Sequence, residues 1–150
     1  MRVVIQRVNR AAVEIGGKIF SEIKEGLLVL VGIETEDTLE DAEWLAGKIA
    51  QLRIFNDENG VMNRNITDIN GEILIVSQFT LHALTKKGNR PSYIRAAKHE
   101  ISQPLYETFC VKLSKKINKN VKTGVFAADM KIDLRNDGPV TVLMDSKNKE

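Results

Sequence analysis

The sequence predicts an α+β (α/β) fold in one compact domain, and three observations carry that prediction. Apolar runs of strand length recur along the chain, two stretches switch to a helical period, and no repeat, linker or low-complexity tract divides the 150 residues. A chain of this size buries a core without disulfides or metals. With 43% hydrophobic and 28% charged residues the composition is globular rather than disordered or fibrous.

Taken in order, Val3–Val8 and Ala11–Ile15 read as strands. Gly16-Gly17 follows, a two-residue hairpin signal, because primed turns need positive φ and glycine adopts it freely. Lys18-Ile19-Phe20 completes the hairpin, and Leu27–Ile33 is a continuous apolar strand, so the first third is a β-meander. From Thr38 to Phe55 the period changes: Leu39, Ala42, Leu45, Ile49 and Leu52 recur every three or four residues, with Thr38 as N-cap and Asp41 completing a capping box. Trp44 sits at the margin of that face. After the Asn59-Gly60 turn and a mixed stretch comes Ile73–Val76, bounded by Asn70-Gly71, the pattern of a strand covered on both faces. Its far end turns polar at Ser77, Gln78 and Thr80.

His82–Lys98 is basic and loop-like, interrupted by Gly88 and Pro91. Lys86, Lys87, Arg90, Arg95 and Lys98 form either a solvated loop or a phosphate-facing surface, with Tyr93 available for stacking. Ser102 is the expected cap of a second helix carrying Leu105, Phe109, Leu113 and Ile117, with Lys115 and Lys116 complementing the dipole at its end. Val121–Phe126, Met130–Leu134 and Val140–Met144 read as three further strands, and Asp145–Glu150 as a frayed tail. The total is about seven to eight strands and two long helices.

A net charge of +2 permits contact with nucleic acid without requiring it. The lone Cys110 falls in an apolar helical pattern and reads as a core thiol, consistent with a reducing compartment. The opening residues lack the pattern of a signal peptide and no apolar run is long enough to span a membrane, so the expected location is the cytoplasm.

The polar residues exclude several chemistries. Only His82 and His99 are available for a Ser-His-Asp device, and neither has a paired acid in sequence. No Cys/His/carboxylate spacing suits a metal, and no glycine-rich phosphate loop occurs, so neither metal nor cofactor is expected. The acidic pairs at 36–37 and 40–41 suit a helix start. An enzyme built from these residues would align the substrate's own groups and stabilise an oxyanion with backbone N–H donors. Gly138-Pro139 has two readings, a tight turn before the last strand or a cis peptide that aims backbone carbonyls in a fixed direction.

Three motifs add a resemblance. Ser77-Gln78-Phe79-Thr80-Leu81, Lys87-Gly88-Asn89-Arg90-Pro91-Ser92-Tyr93 and Asn136-Asp137-Gly138-Pro139-Val140-Thr141, with the opening Met1–Val8, resemble the D-aminoacyl-tRNA (D-tyrosyl-tRNA(Tyr)) deacylase family across essentially the whole chain. The resemblance implies that family's fold, with a barrel-like sheet, and a homodimeric hydrolase that cleaves the ester between a D-amino acid and the terminal adenosine of tRNA. It implies a partner that is tRNA rather than DNA, and no membrane. Ser77, Gln78, Phe79 and Thr80 carry over as site residues, in an RNA-assisted mechanism where the adenosine 2′-hydroxyl helps and no side-chain nucleophile is essential. Gly138 and Pro139 inherit, as a cis peptide, the role of a chirality filter reaching into the partner's site, and Arg7 braces that loop. Rigid carbonyls in the direction of an L side chain reject L-aminoacyl-tRNA by clash and desolvation. Glycine has no side chain to exclude, so glycyl-tRNA should also pass. The alternative reading is a non-catalytic module that holds tRNA ends on the same fold.

Overall fold

The computed structural model describes residues 1–150. Strand β1 (Arg2–Ile15) is the axis of the sheet. Its first half pairs antiparallel with β3 (Gly26–Gly32) and its second half with β2 (Lys18–Ile23), while its other edge is covered along its length by β8 (Lys131–Asp145). Next to β3 the direction changes: β6 (Glu72–Ser77) runs parallel to it, and the short β7 (Lys122–Thr123) runs parallel to β6. The Ser21 hydroxyl donates to the Thr123 carbonyl at 2.7 Å, so β2 curls back towards β7 and the sheet is nearly closed, as a barrel.

A parallel pair needs a crossover. Here it contains α1 (Leu39–Gln51) and a small hairpin of β4 (Phe55–Asn56) and β5 (Met62–Arg64). The Thr38 N–H and hydroxyl both donate to Asp41 Oδ2, at 2.8 and 3.0 Å, which fixes the start of α1. Its buried face, Ala42, Leu45, Ala46 and Ile49, meets Leu105, Phe109 and Leu113 of α2 (His99–Ile117), and both helices cover Ile73 and Ile75. The opposite side chains of β6, Leu74 and Val76, join Val8, Val13 and Leu28 in a second cluster inside the curled sheet. The predicted double coverage of this strand is therefore present. Trp44 lies at the margin, with Lys48 and Lys149 over its ring.

Several boundaries differ from expectation. The two predicted opening strands are one continuous strand, because Asn9-Arg10 stays extended between two partners. Val121–Phe126 contributes only two strand residues. Ser102 does not cap α2: the helix begins three residues earlier, after Lys98, and the Ser102 hydroxyl donates to the Lys98 carbonyl at 2.9 Å from inside the first turn. Pro104 is the sixth residue of α2 and so offers no N–H to the Glu100 carbonyl. The tail is partly anchored, since Ser146 is buried and its N–H donates to the Met1 carbonyl at 2.9 Å.

The last two predicted strands are a single β8. Its register jumps from Gln6 opposite Thr141 to Val8 opposite Asn136, so Asp137–Val140 bulge out of the ladder beside Arg7. Gly138-Pro139 lies in this bulge, not in a turn between strands, and its peptide bond is cis.

Candidate functional site

Two parallel strands send their carboxyl ends to the same end of the sheet, and a cleft forms there. It has a volume of about 440 Å³. Val31 and Ile33 line it from β3 and the residue beyond; Val76, Ser77, Gln78 and Phe79 line it from the end of β6. Ala97, His99 and Ser102 form a second wall at the start of α2, and residues 126–130 with Ile132 a third. Most of the lining is apolar, so the few polar groups decide orientation.

The polar strand end is held from both sides. Gln78 N–H donates to the Val31 carbonyl at 2.7 Å, which ties the chain to β3 as β6 ends. Phe79–His82 then form one 3-10 turn, in which Leu81 N–H donates to the Gln78 carbonyl at 3.2 Å. The opening N–H groups of such a turn, those of Phe79 and Thr80, have no acceptor within it. Gln78 Nε2 donates to Thr80 Oγ1 at 2.5 Å, so the threonine hydroxyl orients the amide. Thr80 itself does not line the cleft, whereas Ser77, Gln78 and Phe79 do. No histidine or carboxylate hydrogen-bonds to Ser77 or Thr80, and Asp129, the one acid in the lining, faces Lys131 at 3.0 Å. No group of three or more His, Cys, Asp and Glu side chains gathers anywhere as a metal cage would.

Beneath the turn lies a charged layer that sequence reasoning missed. His82 is 1% exposed and neither ring nitrogen makes a hydrogen bond of good geometry. Its Nδ1 lies 3.9 Å from the Glu34 carboxylate, which is gripped by Arg95 at 2.7 and 3.1 Å. Burial pushes the His82 imidazole below its ordinary value; Glu34 works against this and Arg2 with it. No spacing in the sequence links Glu34 to His82, because β3 and β6 bring them together only in the folded sheet.

The third wall was also missed. Phe126 meets the His99 ring edge-to-face, with centroids 5.2 Å apart, and Ala127 adopts a φ of 62°. An aromatic followed by two alanines was the available signal, but it reads equally well as ordinary packing.

Arg7, Gly138 and Pro139 stand apart. Arg7 pairs with Leu27, four residues along β3 from Val31, which is roughly 13 Å at about 3.3 Å per residue. None of the three lines the cleft of its own chain. Arg7 is buried, donating to the Asp137 carbonyl at 3.0 Å and the Ile54 carbonyl at 2.6 Å, while Gly138 and Pro139 are exposed. Arg7 thus links the bulge of β8 to the segment between α1 and β4.

The sequence pattern of the D-Tyr-tRNA(Tyr) deacylase family matches residues 4–145. The chain belongs to that family. As a D-Tyr-tRNA(Tyr) deacylase family member it is 63% identical over 150 residues, all of both chains, to the D-aminoacyl-tRNA deacylase of Phocaeicola vulgatus. It is 59% identical, again over all of both chains, to the protein of that name from Flavobacterium johnsoniae. Among solved structures, the family fold of this chain is similar to the c-Myc DNA unwinding element binding protein, with a TM-score of 0.92 and 41% identity over 97% of this chain and 98% of that one. A probable eukaryotic D-amino acid tRNA deacylase shares the fold at a TM-score of 0.82 and 17% identity, covering 95% and 97%.

Proposed function

We propose that the protein hydrolyses the ester of D-aminoacyl-tRNA, releasing the D-amino acid and free tRNA, as a chiral proofreading enzyme of translation in the cytoplasm. One observation carries the reading: in a chain that belongs to this family, Ser77, Gln78 and Phe79 line an apolar cleft with no side-chain base hydrogen-bonded to Ser77 or Thr80. Such a cleft suits a substrate that brings its own catalytic group. Water adds to the ester carbonyl, backbone N–H groups around Phe79 and Thr80 stabilise the oxyanion, and the ester C–O bond breaks as the 3′-oxygen leaves. The neighbouring 2′-hydroxyl relays a proton to that leaving oxygen. Thr80 contributes by holding the Gln78 amide.

The chirality filter is Gly138-Pro139, whose carbonyls exclude an L side chain and admit D residues and glycine. The two residues are exposed and outside their own cleft, which supports their use in the cleft of a partner in a homodimer. β8 pairs only with β1 and so has a free edge, and Leu143 on it is 68% exposed, a surface suited to a second copy.

The test is amino acid release from matched D-tyrosyl- and L-tyrosyl-tRNA, with a third substrate ending in 2′-deoxyadenosine. Rapid loss of the D ester alone, and a large drop without the 2′-hydroxyl, is the expected result. Binding without turnover of any ester would establish the non-catalytic module instead.

A further inference from the structure

The segment after the 3-10 turn has an uneven charge. From Gln78 to His99 there is no aspartate or glutamate, while Lys86, Lys87, Arg90, Arg95 and Lys98 all fall within it. Arg95 is committed to Glu34, but Lys86, Lys87, Arg90 and Lys98 are exposed and make no side-chain hydrogen bond or ion pair. Elsewhere many cations are neutralised, as Lys112 and Lys116 are by Glu43, Lys147 by Asp41 and Arg2 by Asp145. Unneutralised cations concentrated on one loop repel one another and need a polyanion to gain by it.

The loop is also held in place. Leu84 and Ser92 exchange backbone hydrogen bonds at 2.8 and 3.0 Å, closing the basic tip into a narrow flap. Thr35 N–H donates to the Arg95 carbonyl and Ala97 N–H to the Ile33 carbonyl, which fastens its far end to the strand beside the cleft. The flap and the cleft are continuous: Phe79 lines the cleft and meets Tyr93 edge-to-face at 5.0 Å, and Lys98 lies between the lining residues Ala97 and His99. Phe79 is 56% exposed and Tyr93 and Ile94 are exposed with it. Rings beside free cations, next to a cleft, are the elements of a single-stranded nucleic-acid track.

We propose that Leu84–Lys98 is the surface on which the single-stranded 3′ end of the tRNA lies as it leaves the cleft. The phosphates upstream of the terminal nucleotide meet Lys86, Lys87, Arg90 and Lys98, and a base packs against the Phe79–Tyr93 pair. This rests on the deacylase reading for the identity of the RNA, and deepens it by naming what holds the rest of the strand.

The test compares wild type, the variant K86Q/K87Q/R90Q and a control with the same charge loss on the hairpin and β7, K18Q/K24Q/K122Q. Affinity for uncharged tRNA is measured against salt, and release of D-tyrosine from D-tyrosyl-tRNA and from D-tyrosyl-adenosine is followed in parallel. At about 0.7 in slope per phosphate contact, the flap variant should lose roughly 2 from the log–log salt slope. Its kcat/KM for the tRNA ester relative to the adenosine ester should fall at least tenfold, and the control should do neither. An unchanged slope, or equal losses in flap variant and control, overturns the proposal and leaves the flap to a protein partner or a second copy of this chain. If wild type binds with the flap-dependent slope but cleaves neither ester, the deacylase reading fails while the surface stands.

Discussion

Arg7 and Asp137 meet twice: the guanidinium Nε donates to the Asp137 carbonyl at 3.0 Å and lies 3.3 Å from its carboxylate. The same guanidinium reaches the Ile54 carbonyl, so one buried cation ties the bulge of β8 to the stretch of the crossover between α1 and β4. Arg7→Met leaves those acceptors unpaired, which costs about 1–3 kcal/mol. Thermal unfolding should show that loss, and the ratio of D-tyrosyl- to L-tyrosyl-tRNA hydrolysis should fall with it. A full-strength ratio in a destabilised protein would separate the brace from the filter.

Gly138 offers a sharper probe of the same bulge. A β-carbon there would come within 3.0 Å of Arg7 Nη2 and 2.9 Å of Val140 Cγ2, at a φ of 121° that L residues rarely adopt. Gly138→Ala should therefore displace the guanidinium and lower D-ester turnover more than it lowers tRNA affinity. Steady-state kinetics beside a binding isotherm checks this.

Thr80 distinguishes positioning from nucleophilic attack. Thr80→Val removes the acceptor of the Gln78 amide and should reduce kcat by about tenfold, the worth of one hydrogen bond near 1.4 kcal/mol. Thr80→Ser should restore most of it. A loss of about a thousandfold or more in Thr80→Val would instead mark the hydroxyl as the attacking group.

His82 makes stability depend on pH with a defined sign. Its native value is lowered by burial, so between about 6.5, the ordinary value, and the lower native one the unfolded chain binds a proton that the native chain does not. The His82 contribution to stability is thus complete above the ordinary value and is lost as pH falls through this window. Denaturant unfolding at several pH values should show the decline in wild type and a shallower one in His82→Leu.

Cys110 should be silent in the native state. Burial pushes its thiol up to about 12, leaving a thiolate fraction on the order of 10⁻⁴ at pH 8. Labelling by a thiol reagent should follow global unfolding, so adding denaturant below the midpoint should accelerate it in step with the unfolded population.

Much of this architecture was legible because it depends on local chemistry. Gly16-Gly17 does take positive φ at both residues, Thr38 and Asp41 do cap α1, and the period of Leu45 and Ile49 does place them in the core. Ser77 and Gln78 stand out in the sequence because polar residues end a buried strand there, whereas Phe79 came only with the family motif. What stayed hidden is set by distant partners. Asn9-Arg10 looks like a break until β8 supplies its edge, and Ser102 looks like a cap until Lys98 is seen to begin the helix. Glu34, His82 and Arg95 meet only through the parallel pairing of β3 with β6, and the wall at Phe126 exists only opposite His99.

The pairing of β1 with β8 joins residues 2–14 to residues 131–145. A chain made from its amino end outward must therefore carry its central strand with one edge open until almost everything else has been synthesised. Pairings so remote in sequence form late and slowly, and an open edge invites wrong neighbours meanwhile. Arg2, Arg7 and Arg10 along β1 give the waiting edge a charge, and charge is what discourages two nascent copies from joining there.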